Sequence, residues 1–160
     1  MERIVQNEKI GTIIYTESFL TGKKSINVNG VQLKRIEKNT FQLLDGDTAT
    51  ISGNSITGIK LGINGEVIQI SKPMKWYELA ITIFFFVFVI AWGTSPALVS
   101  ILPVVGGAVG GAITGALSML GVFFATAREK KLHRILMLVL FGILSFVACM
   151  SVGFILIAIA

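Results

Sequence analysis

Two patterns of apolar and polar positions share this chain. Up to about residue 72, apolar and polar residues alternate in short runs separated by turn residues. From Leu79 to Ala127, and again from Ile135 to Ala160, no side chain is charged. Hydrocarbon is the solvent in which charge-free stretches of that length are expected. The pattern therefore predicts an α+β membrane protein: a small N-terminal all-β domain over residues 1–72, then three transmembrane helices within 73–160.

In the first part, Gly11–Ser18 is a run rich in Ile, Thr and Tyr. Ser25–Val28 and Val31–Ile36 flank Asn29-Gly30, and Ser55–Leu61 and Glu66–Ile70 meet near Asn64-Gly65. An Asn-Gly pair is a strong hairpin signal because both residues tolerate positive φ. Thr40–Leu44 leads into Asp45-Gly46-Asp47, with Thr48–Ser52 beyond it. No stretch here repeats at 3.6 residues, so roughly six or seven short antiparallel strands are expected, as a sandwich or rolled barrel. Asp45 and Asp47 around a glycine could suggest a calcium loop, but the further ligands and the closing Glu are missing. A plain turn is the better reading.

In the second part, Lys72-Pro73 ends the last strand, because proline cannot donate to a ladder. Trp76 and Tyr77 at one end and Trp92 at the other mark the interfaces of a first span over 74–93. Thr94-Ser95-Pro96 has the hydroxyl cap and the proline of a helix start. One helix from Pro96 to Ala127 would be about 48 Å long against a hydrocarbon core of about 30 Å. Pro103 supplies the break. Residues 96–102 are thus predicted as a short interfacial or kinked piece, 103–127 as the second span and 132–159 as the third.

Charge sets the orientation. The chain has 14 Lys and Arg against 9 Asp and Glu, a net charge of +5. Lys72, Lys75, Arg128, Lys130, Lys131 and Arg134 crowd the ends of the apolar runs, where anionic lipid headgroups attract each at about 1 kcal/mol. The positive-inside rule then puts the β-domain and the 128–134 loop in the cytoplasm and the C-terminus outside. Met1–Gln6 has no charged, apolar and cleavable succession of a signal peptide. The abundance of Ile, Lys and Asn suits an AT-rich bacterial genome, and the expected location is a bacterial cytoplasmic membrane. Nucleic acid is a poor partner, since no basic face carries interleaved aromatics.

The most distinctive local pattern is glycine. Gly107, Gly111 and Gly115 repeat every four residues, a spacing that lets helix backbones approach closely. With Gly110, Thr114, Ser118 and Gly121 they form a stripe about 140° wide, opposite Val105, Val109, Ile113, Leu120, Phe123 and Phe124. Gly142, Ser145, Cys149 and Gly153 form a matching ridge on the third span. Packing within the chain would explain part of the stripe, and a neighbouring subunit the rest; the sequence leaves the division open. Glycine zippers of this kind resemble those of some homo-oligomeric channels, on which reading Thr114 and Ser118 would line a passage. Their hydroxyls can equally bond carbonyls of their own helix.

Other chemistry is sparse. Glu78 suits the first turn of a helix, where a carboxylate meets the positive end of the dipole. His133, between basic neighbours, is expected to be solvated. The single Cys149 rules out an intrachain disulfide and a cysteine zinc site. There is no phosphate loop, no metalloprotease motif and no ionisable residue at mid-span, where an intramembrane enzyme or proton-coupled transporter would place one. No catalytic residue, cofactor or metal is expected. Two functions remain. The first, favoured because an anchor needs only one span and the small-residue stripe is wide, is a homo-oligomer forming a channel-like passage with a cytoplasmic β-domain. The alternative is a membrane anchor for a β-domain that engages a protein or lipid partner.

Overall fold

In a computed structural model that describes residues 2–18, 21–43 and 46–159, both Asn-Gly pairs turn the chain tightly. Asn29 and Gly30 have φ of 52° and 86°, and Asn64 and Gly65 have 50° and 79°. Positive φ at both central residues is the type I′ turn, whose twist matches that of the strands it joins. The resulting β-unit, Met1–Met74, is followed by a helical unit, Lys75–Ala160.

The β-unit has nine strands among the described residues: β1 (Glu2–Asn7), β2 (Gly11–Glu17), β3 (Lys24–Val28), β4 (Val31–Gln32), β5 (Lys34–Arg35), β6 (Thr40–Gln42), β7 (Thr48–Asn54), β8 (Gly58–Ile63) and β9 (Glu66–Gln69). They form two antiparallel sheets, β1-β2-β3-β4 and β5-β6-β7-β8-β9, in which every strand pairs only with its sequence neighbours. One core serves both sheets. Ile13, Tyr15 and Ile26 come from the first, and Phe41, Ile51, Ile59 and Leu61 from the second.

Three departures from expectation have local causes. β1 adds an edge strand beyond those expected, and its six residues pair with Gly11–Thr16 of β2, from Glu2↔Thr16 to Asn7↔Gly11. The expected strand 31–36 is two strands. Leu33 turns its side chain into the core and gives its N–H to Ile26, while Lys34 and Arg35 pair instead with Gln42 and Phe41. Ser55–Thr57 is a turn rather than the start of β8, because the Asn54 carboxamide oxygen accepts the N–H groups of Ile56 and Thr57. Leu44 and Asp45, the strand end and the first aspartate of the possible calcium loop, lie outside the described residues.

The helical unit contains α1 (Trp76–Thr94), α2 (Pro96–Ile101), α3 (Gly107–Thr126) and α4 (Lys131–Ile159). Of these, α1, α3 and α4 are long and apolar enough to cross a membrane, which points to a membrane protein. The second long helix starts at Gly107, not at Pro103. Proline keeps Leu102 extended, with φ −143° and ψ 116°, and Gly107 at φ +62° stops a helix from running back to it. Residues 102–106 are therefore an extended strap between α2 and α3.

Candidate functional site in the helical unit

At the charged end of the helical unit lies an ion pair absent from the sequence-based expectation. Arg134, in the second turn of α4, donates from Nη2 to Glu78 Oε2 at 2.8 Å, and the two side chains are only 7% and 2% exposed. The same carboxylate oxygen accepts the backbone N–H of Lys75 at 2.9 Å, the glutamate half of a capping box. Beside it, Lys131 Nζ sits 4.9 Å from the centre of the Tyr77 ring. The starts of α1 and α4 are thus tied by an ion pair and a cation–π contact.

Arg134, expected at the lipid headgroups with the other basic residues, is instead buried and paired. Lys72, Lys75, Arg128, Lys130 and Lys131 are exposed, as is His133, whereas Arg134 faces inward. Glu78 and Arg134 each stand immediately before a charge-free run, and their pairing across 56 residues of chain carries no local pattern.

Deeper in the unit, the glycine stripe of α3 does several different things. Gly110, Thr114 and Gly121 are buried. Thr114 donates to the Gly110 carbonyl at 2.7 Å, and its hydroxyl lies 3.6 Å from Cys149 Sγ on α4. A Cβ on Gly121 would come 2.8 Å from Phe141 Cβ, and one on Gly142 would run into the Phe85 ring. Gly111 and Gly115 face α1 more loosely, since a Cβ on either would find its nearest neighbour, Ile90 or Phe86, at 3.9 Å. Gly107 meets nothing and serves its turn conformation. Ser118 is half-buried beside Thr82, Gly121 and Gly142. Ile113, expected on the lipid side, instead packs against the inner cluster of Val89, Val104 and Cys149.

The strap 102–106 closes the other end. Trp92 donates its indole N–H to the Leu102 carbonyl at 3.2 Å, and Val105 donates its backbone N–H to the Cys149 carbonyl at 3.1 Å. Glycines make this possible. A Cβ on Gly93 would lie 2.5 Å from the backbone nitrogen of Gly106, and one on Gly153 would collide with the Pro103 carbonyl. Trp92, expected as an interface marker, is a half-buried clamp whose ring also packs on Phe146 at 5.5 Å. Trp76 remains 81% exposed.

These side chains form an ion pair, caps and close packing contacts within the helical unit. Among the described residues, no three His, Cys, Asp or Glu side chains come together. The exposed positions of α1 from Leu79 to Ala91, of α3 from Gly107 to Phe124 and of α4 from Leu136 to Val147 are all apolar. Neither the protein-family models, nor the curated proteins, nor the solved structures give a match to this chain.

Proposed function

We propose that the chain is a membrane-anchored binding protein, in which three packed helices hold the β-unit at the cytoplasmic surface of a bacterial inner membrane. The bent strand 31–35, which passes from one sheet to the other, favours a rolled barrel for that unit. One observation carries the functional reading. The buried polar groups Glu78 and Arg134 at one end of the helical unit, and Thr114 and Ser145 deeper in it, are engaged inside the chain, and its outward central surface is apolar. Such a unit needs lipid around it and offers little to line an aqueous passage.

Self-association remains part of this proposal. Gly111 and Gly115 have room for a Cβ within the chain, although each glycine in a helix costs about 1 kcal/mol relative to alanine. Beside them, Ala108, Ala112 and Ala116 are exposed at four-residue spacing. A second copy packed on this ridge would give the small residues a reason. Ala112→Leu places bulk outside the chain's own contacts, so it is expected to leave insertion and unfolding unchanged while turning an oligomer into monomers in lipid nanodiscs. Purified protein in planar bilayers should not conduct. Stepwise conductance abolished by Ala112→Leu would replace the anchor by the channel-like assembly.

Orientation has its own test. With Arg134 paired, Lys72, Lys75, Arg128, Lys130 and Lys131 still bias one end of the helical unit. Cys149 is fully buried, so it offers no exposed thiol to compete with an introduced one. In intact cells an impermeant maleimide is expected to label Ser100→Cys and not Lys38→Cys. The reverse pattern overturns the topology.

A further inference from the structure

The β-unit carries an open cleft to which nothing above gives a role. Ile10, Val28, Val31, Leu33, Leu43 and Ile63 surround a space of about 330 Å³. It lies where the β1–β2 turn and the two Asn-Gly turns converge. The chain leaves the unit at the opposite end, where Met74 donates its N–H to Ile56 in the β7–β8 turn. A mainly apolar concavity of this volume, with a few polar groups at its edge, is the usual form of a binding site.

The lining narrows the class of ligand. Its walls are branched aliphatic side chains, with no ring for an aromatic ligand to stack on and no charge. Val31 stands at the mouth, 40% exposed. Two carboxamides border the space, and only one is available. Asn29 accepts the Thr12 N–H at 2.9 Å and donates to the Ile10 carbonyl at 2.8 Å, which joins the two turns. Asn64 is exposed at its turn. The charges within two residues of the lining residues in sequence are of both signs and balance: Glu8, Asp45 and Glu66 against Lys9, Lys34 and Arg35. Lys9 and Glu66 pair with each other. An anionic lipid headgroup would need an uncompensated basic rim, and this rim is compensated.

We propose that the cleft receives the aliphatic side chains of a neutral, extended peptide segment on a partner protein. The Asn64 carboxamide then meets the peptide backbone at the mouth. This deepens the proposed binding role of the β-unit and rests on it. Aliphatic residues fill the space without polar loss, and a peptide amide matches the donor and acceptor of a carboxamide.

The test uses the full chain in phosphatidylcholine nanodiscs with labelled Ile, Leu and Val methyl groups. The capped peptide acetyl-Leu-Thr-Val-Thr-Leu-amide should give saturable shifts confined to the six lining residues. Val31→Glu should weaken its binding by about tenfold or more, as expected for losing a buried aliphatic contact, with the methyl signals of Ile51 and Ile59 unmoved. Absence of saturation, insensitivity to Val31→Glu, or tighter binding of decanoate at the same methyls overturns the peptide assignment. Photo-crosslinkers at Val31 and at Ile4, on the outer face of β1, separate this from the broader reading in native membranes. An adduct from Val31 that the peptide suppresses supports the cleft, and one that it does not suppress overturns the ligand class. Adducts from Ile4 alone overturn the cleft and leave a binding protein. None from either position overturns both.

Discussion

Glu78→Gln is expected to destabilise the helical unit by about 3–5 kcal/mol, the usual result of removing one partner from a buried ion pair. The variant keeps the size of the side chain and a carbonyl for the Lys75 N–H. It removes the negative charge that lets the Arg134 guanidinium stay inside. Arg134→Gln should cost a similar amount for the mirror-image reason. The double variant should lose less than the sum, because no unbalanced charge is then buried. Unfolding in mixed detergent micelles, followed by tryptophan fluorescence, measures all three. A Glu78→Gln protein within about 1 kcal/mol of the parent would mean that water, not the carboxylate, compensates Arg134.

The glycines should divide into two classes when replaced by alanine. At Gly93 and Gly153 the added methyl meets backbone of the strap, which cannot swing aside as a side chain can. Gly93→Ala and Gly153→Ala should each cost about 1–3 kcal/mol, or more if the strap is expelled. At Gly111 and Gly115 the methyl finds ordinary contact distance, and better helix propensity should leave these variants as stable as the parent or up to about 1 kcal/mol more so. The same titration serves, and loss of the Trp92–Leu102 hydrogen bond would also shift the tryptophan emission in the first class. Equal stability of Gly153→Ala and Gly111→Ala would show that the strap does not depend on its seat against α4.

What could be read from the sequence follows the range of the interactions. Strand alternation, the two Asn-Gly turns and the charge-free runs are local, and each appears in the structure as antiparallel strands or long apolar helices. Where one strand divides or a helix starts late, a single buried side chain or a backbone torsion decides: Leu33 in the core, or Gly107 at positive φ. The glycine stripe was visible as small residues at a helical spacing. Spacing alone could not tell which of them touch backbone, as Gly153 does, and which merely border a neighbouring helix, as Gly111 does. The Glu78–Arg134 pair was least legible, because each residue has a satisfactory local explanation and only the packing of α1 on α4 brings them together. The cleft likewise draws its walls from turns scattered between Ile10 and Asn64.

The strictly sequential strand order has a kinetic consequence. Every ladder from β1 to β9 joins neighbours in the chain, so each can close as soon as its second strand leaves the ribosome. The loops to be closed are short, and no strand must wait for a distant partner. Synthesis at about 5–20 residues per second gives the unit several seconds of growth, long compared with the microseconds in which a hairpin forms. The β-unit precedes α1 in the chain, so its ladders can close before the first apolar helix is complete. An apolar nascent segment then emerges tethered to a folded unit instead of to loose strands with open edges, which lessens the time in which either could aggregate.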